Sequence, residues 1–211
     1  MPKKGTKVKD KWREKTWLTV LAPTAFGSKP VASIPVTDLE HAVNRTVETT
    51  LFDLLQQDPS HYNIKLYFKI TKIEGEIAYT IFKGHEYSRE FIKSLIRRGS
   101  SMVNFISDYK TRDGYKVRVY VSAFTQGRVN SSKKSSMRKA ADAVLKEKAA
   151  SLPYDQFIQE VVLGKLGADV FGEAKKIAAL RHMDIRKTKL VSMPEEPKKG
   201  REEAAMSATP A

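Results

Sequence analysis

Between Lys110 and Lys148 the apolar residues change their spacing, and that change limits what the segment can become. Val117, Val119 and Val121 alternate with Lys116, Arg118 and Tyr120. A period of two sets an apolar face against a charged one and predicts a half-buried strand. Met137, Ala141, Val144, Leu145 and Lys148 then recur at three- and four-residue steps, which predicts a helix over 136–151. Ahead of the strand, Arg112-Asp113-Gly114 has the composition of a turn between antiparallel strands, so Met102–Tyr109 is expected to pair with it. Gly127–Ser136 has Val129 as its one apolar residue and reads as a loop. The whole segment carries eleven Lys and Arg against three Asp and Glu, a net of +8 out of the chain's +14. Charge this concentrated marks a candidate contact for a polyanion.

Two further clusters share that sign. Pro2–Lys15 holds seven Lys and Arg, two acids and no periodic apolar face. Residues 1–15 are therefore expected to be a disordered basic arm that offers Lys3, Lys4, Lys7, Lys9, Lys11 and the aromatic Trp12 to an anionic partner. Arg181–Val191 alternates again with a net of +3 and reads as a returning basic strand. By contrast, residues 16–109 balance ten basic groups with ten acidic ones.

The remaining segments give the fold class. Thr16–Ala22 and Val31–Val36 read as strands, Asp38–Val43 as a helical turn, and Thr46–Leu55 as one long β-branched strand. Ile64, Leu66, Phe68 and Ile70 alternate with Lys65, Tyr67, Lys69 and Thr71. Glu74-Gly75-Glu76 turns the chain into Ile77–Lys83, apolar on both sides and so expected to be buried on both. Ser88 suits the N-cap of a helix closed by Gly99. After Pro153, helices are expected over 154–164 and within 166–180, where Gly164, Gly167 and Gly172 end or loosen them. From Met193 the composition turns to Pro, Glu, Lys and Ala, a disordered tail. The expected plan is an arm at 1–15, one domain over 16–192 and a tail at 193–211. Within the domain, strands outnumber helices, which predicts an α+β fold: a mixed or antiparallel β-barrel of about six strands flanked by helices.

Composition removes several functions. With no cysteine there are no disulfides, thiolate metal sites or thiol catalysis. No apolar run approaches the ~18 residues of a membrane span, and the basic start lacks an apolar leader, so a soluble, intracellular protein is expected. A membrane-surface helix would set Trp, Phe or Leu opposite its cations, whereas 136–151 offers an ordinary core stripe. Nucleic acid fits better, because Lys/Arg arms and Ser/Asn/Gly loops supply phosphate contacts. Tyr67, Tyr79, Phe82, Tyr109, Tyr115, Tyr120 and Phe124 lie in or beside strands and read as core packing rather than base stacking. His41, His61, His85 and His182 have no metal-ligand spacing, and no nucleophile elbow, P-loop or dinucleotide motif is present. No catalytic, metal, cofactor or small-molecule substrate site is expected. Two alternatives stay open: a free single-strand RNA-binding barrel with exposed aromatics, acting in translation or RNA decay, and an enzyme with a His–carboxylate pocket.

Four stretches carry a family resemblance. KDKWREKTWLTVLAP, GHEYSREFIKSLIRRGSS, KTRDGYKVRVYVSAFTQGRVNSSKKSSMRKA and RHMDIRKTKLV together resemble, in order and spacing over roughly 9–191, the small-subunit ribosomal protein family called S-three-a, or e-type S-one. The short extensions suit an archaeal member. The resemblance implies a β-barrel flanked by helices, bound to small-subunit ribosomal RNA on the platform near the messenger exit side. Neighbouring small-subunit proteins would be its other partners, and no enzymatic activity is implied. It also implies that Arg112, Lys116, Arg128, Lys133, Lys134, Arg138, Lys139, Arg186 and Lys187 face RNA.

Overall fold

The computed structural model describes residues 12, 13 and 15–194; the rest of the basic arm, with Lys3, Lys4, Lys7, Lys9 and Lys11, and the tail beyond Pro194 lie outside the described residues. Among the described residues, eight strands and five α-helices follow one another: β1 (Thr16–Leu21), β2 (Pro30–Val36), β3 (Thr46–Thr50), α1 (Leu51–Leu55), β4 (Ile64–Glu74), β5 (Ile77–Tyr87), α2 (Arg89–Leu95), β6 (Met102–Lys110), β7 (Lys116–Thr125), α3 (Ser131–Ser151), α4 (Tyr154–Val162), α5 (Lys165–Lys175) and β8 (Leu180–Ser192). The α+β class is as expected. The strand expected over Thr46–Leu55 breaks at Thr50, whose hydroxyl accepts from Asp53 N–H while the Asp53 carboxylate takes the Thr50 N–H. This reciprocal capping box starts a helical turn in a segment whose β-branched residues favour a strand.

All eight strands join one sheet in the order β2-β1-β5-β8-β7-β6, with β4 and then β3 on the far side of β5. Pairing is antiparallel except between β1 and β5, where Thr19 and Val20 run parallel to Ile77 and Ala78. β5 is the hub. One of its edges is taken by β4 along its length. Its other edge is shared, by β1 near Ile77 and by β8 at Glu86, which pairs with Lys187. The expected closed barrel is not formed among the described residues, because β2, β3 and β6 each have a single strand neighbour. A barrel needs two neighbours for every strand; a hub that divides one edge between two branches leaves three ends open. β5 also departs from the expected double burial, with Ile77 and Tyr79 at 40% and 41% exposure.

The core lies on one face of β6, β7 and β8. Val117, Val119 and Val121 are buried there, as their alternation predicts, together with Val103 and Ile185. α3 lays Met137, Ala141, Leu145 and Ala149 over them, one residue per turn, and α4 and α5 add Phe157, Val161, Leu166 and Val170. Each large apolar side chain buried in this way contributes about 1.5–3 kcal/mol. Gly167 is not a loose point in a helix. A Cβ there would collide with the Asp184 carboxylate, so glycine lets α5 close on β8.

Candidate nucleic-acid interface

α3 begins at Ser131, so Lys133 and Lys134 stand in its first turns rather than in the loop that the sequence suggests. Ser-Ser-Lys-Lys-Ser-Ser has no apolar periodicity to announce a helix. Once Met137 and Ala141 are packed, however, each added residue closes one more backbone bond, including Lys134 N–H to the Asn130 carbonyl at 3.1 Å. The result is electrostatically unfavourable for the protein alone. The first turn holds no acid, and the N-cap Asn130 makes no side-chain capping bond. Cations next to a helix N-terminus oppose its dipole, at about 0.3–1 kcal/mol each. Lys134 and Arg138 are also a like-charged pair one turn apart.

Among the described residues, Arg128, Lys133, Lys134 and Lys139 have no ion-pair partner, and Arg138 makes one hydrogen bond, from Nε to the Asn104 carbonyl at 3.2 Å. Arg128 and Lys133 meet across an open cleft of about 280 Å³ with Asn130, Ala178 and Ala179. These five expected RNA contacts thus lie in the loop before α3 and in its first turns, all exposed except the half-buried Lys134.

The other expected residues are placed differently. Arg112 is exposed in the β6–β7 turn, whose Gly114 takes a φ of +86°. Lys116 is exposed on β7 but lies 3.4 Å from Asp108, which also receives a two-pronged bond from Arg118 at 2.6 and 2.9 Å. Hydrogen bonding from Arg118 first, and from Lys116 next, holds the Asp108 carboxyl at about 2, so it stays ionised against both cations. Lys187 is half-buried and ion-paired to Glu86, while Arg186 is half-buried at a bulge between β7 and β8. Trp12 docks edge-on against Trp17, ring centroids 6.3 Å apart, with Lys15 Nζ 4.1 Å from its ring.

β-pairing puts Tyr67, Glu86, Lys187, Lys189, Arg118, Tyr120 and Ile106 on the sheet face opposite the core, since directly paired residues share a face. Tyr67 and Tyr120 are half-buried and Tyr79 is 41% exposed, which corrects the expectation that the strand aromatics are core; Phe82, Tyr109 and Phe124 are. Sequence reasoning missed Lys83, Arg118 and Lys189 as members of this basic face. Arg118 and Lys189 are signalled only as polar positions in alternating strands, and Lys83 follows from a bulge that the sequence does not announce.

His182 shares a crevice of about 10 Å³ with Asp184 and Phe91, and the other three histidines have other partners. His85 is fully buried and bonded to Thr188 and the Ile185 carbonyl. His41 and His61 face Asp38 and Asp58 at 3.3 and 3.9 Å across single turns. Among the described residues no cluster of three metal-ligating side chains occurs.

Fold and charge together define an α+β protein with an open sheet, a neutral half and a cationic half. The chain belongs to the Ribosomal S3Ae family, whose model matches residues 3–194. It is similar to proteins named small ribosomal subunit protein eS1 from archaea. Identity is 43% to the Sulfurisphaera tokodaii protein, over 90% of this chain and 97% of that one. It is 45% to the Saccharolobus solfataricus protein, covering 92% and 93%. For the Saccharolobus islandicus protein of strain L.S.2.15 it is 44%, with the same coverage.

Proposed function

We propose that this chain is a structural constituent of the small ribosomal subunit that holds small-subunit ribosomal RNA by neutralising its phosphates. In this reading it works in the cytoplasm, on the ribosome beside other small-subunit proteins, and catalyses nothing. The location adopted from the family resemblance is the platform near the messenger exit side. The observation that carries the proposal is the cation cluster Arg128, Lys133, Lys134, Arg138 and Lys139, which has no ion-pair partner among the described residues and whose Lys133 and Lys134 stand in a first helical turn that holds no acid. Arrangements that break a local folding rule without local compensation are expected at functional sites. A phosphate backbone supplies the missing counter-charge and releases condensed cations when bound. Structured RNA hides its base edges in a deep groove, so shape and phosphate spacing would set the position. Arg112, Lys116, Arg186, Lys187, Trp12 and the lysines of the arm complete the proposed contact. The native protein is expected to co-sediment with small subunits through a high-salt cushion; protein left at the top would contradict the proposal.

A further inference from the structure

Where β8 meets β5, a crevice of about 350 Å³ opens on the face away from the core. That volume lies at the lower end of the range for small-molecule sites, about 300–1,000 Å³. Its walls come from four strands: Thr46 of β3, Tyr67 of β4, Lys83 and Glu86 of β5, and Lys187 and Lys189 of β8.

Three features of the fold build it. The β4–β5 register slips so that Tyr67 pairs with Gly84 while Phe68 pairs with Phe82, leaving Lys83 as the extra residue of a bulge. Bulges re-aim side chains, and Lys83 is steadied by donating to the Thr46 hydroxyl at 2.9 Å. Gly84 leaves the floor without a side chain, in a position where a Cβ would strike the Thr188 carbonyl. Thr188 is buried and turned toward His85, which sends its neighbours Lys187 and Lys189 to the opposite face.

The charge in the crevice is three lysines against Glu86, which Lys187 already engages. Glu48, across from Tyr67 on β3, is engaged by Lys65 at 2.8 Å. A net cationic pocket beside a half-exposed phenol ring matches one ligand chemistry, a phosphate attached to a flat, stackable ring.

We propose that this crevice takes one unstacked ribonucleotide, with its base against the Tyr67 ring and its phosphates on Lys83, Lys187 and Lys189. The proposal rests on the RNA-binding function above and adds a single-strand subsite that is separate from the α3 cluster. Duplex RNA keeps its bases stacked and cannot fill the crevice. An acidic peptide would satisfy the lysines but leave the ring without a stacking partner.

The test titrates the full-length protein with an oligouridylate of about ten nucleotides and with a blunt RNA duplex of about 16 base pairs. Base–aromatic stacking of about 1–3 kcal/mol corresponds to an affinity loss of roughly 5- to 150-fold. Tyr67→Ala is expected to lose that factor on the single strand and to keep parental affinity for the duplex; the double variant Lys83→Gln/Lys189→Gln is expected to lose more on the single strand than on the duplex. Tyr67→Phe is expected to bind both RNAs like the parent, which separates stacking from folding. Parental single-strand affinity in a folded Tyr67→Ala would overturn the crevice assignment while leaving the α3 contact intact. Failure of the parent to bind either RNA would overturn the RNA function itself. Capture of oligoglutamate that Lys83→Gln/Lys189→Gln abolishes and Tyr67→Ala leaves unchanged would reassign the crevice to an acidic peptide.

Discussion

Thr188 of β8 brings its hydroxyl within 2.8 Å of Nδ1 of His85 on β5, and this buried contact joins two strands a hundred residues apart in sequence. The other ring nitrogen, Nε2, lies 3.0 Å from the Ile185 carbonyl, and the His85 backbone N–H donates to the same Thr188 hydroxyl at 3.2 Å. A neutral imidazole with its proton on Nε2 satisfies all three: Nε2–H donates to the carbonyl, and Nδ1 accepts from threonine. The register that exposes Lys187 and Lys189 is thereby fixed from inside the sheet.

Burial holds the His85 pKa down at about 4, only partly opposed by the Ile185 bond and the Glu86 charge. In the unfolded chain a histidine titrates near ~6.5. The unfolded state therefore binds the extra proton first as pH falls. The contribution of His85 is complete above about pH 6.5 and is lost progressively toward pH 4, by on the order of 3 kcal/mol in all. Urea unfolding at pH 7 and pH 5 should show this loss in the parent. His85→Gln should be less stable at pH 7 by about 1–3 kcal/mol and should show a clearly smaller drop between the two pH values. An equal drop in both proteins would place the titration elsewhere.

Two glycines are expected to respond to alanine in opposite directions. Gly84→Ala drives a methyl group into the Thr188 backbone at the β5–β8 contact, where neither strand can yield without losing pairing. The expected cost is about 1–3 kcal/mol. Gly172, inside α5, has open space where a Cβ would go. Alanine there should stabilise by about 0.5–1 kcal/mol. Thermal melts of the two variants beside the parent check both signs.

Binding to small-subunit RNA should be strongly salt-dependent. If the cation clusters neutralise about six to ten phosphates, affinity falls by roughly three to five decades between ~50 and ~200 mM salt on the scale for duplex DNA. A nearly flat salt titration would mean that the clusters are solvated surface and no more.

Much of this fold was legible wherever a local signal decided the structure. The β6–β7 hairpin follows from Asp113-Gly114 and the valine alternation, and β8 from the alternation after Arg181. Thr50 and Asp53 form a capping box that local reading could have caught, but the β-branched run outweighed it. The start of α3 was hidden because serines and lysines carry no periodicity, although Met137 anchors the turn that follows. Closure failed as a prediction for a different reason. Strand count does not reveal pairing, and only the long-range meeting of Glu86 with Lys187 shows one edge of β5 divided between two branches. The same meeting assembles Tyr67, Lys83 and Lys189 into one crevice, so no stretch of sequence announces it.

Replacing Lys133, Lys134, Arg138 and Lys139 together with Gln tests the central claim most directly, with the variant's unfolding and its incorporation into small subunits measured side by side. The four side chains are exposed or half-buried, none has an ion-pair partner among the described residues, and like charges repel at this helix end. Free stability is therefore expected to rise or to stay within about 0.5 kcal/mol of the parent. Incorporation is expected to fall sharply, because each lost phosphate contact forgoes a released counterion. A variant that folds normally and still enters small subunits at the parental level through a high-salt cushion would contradict the account.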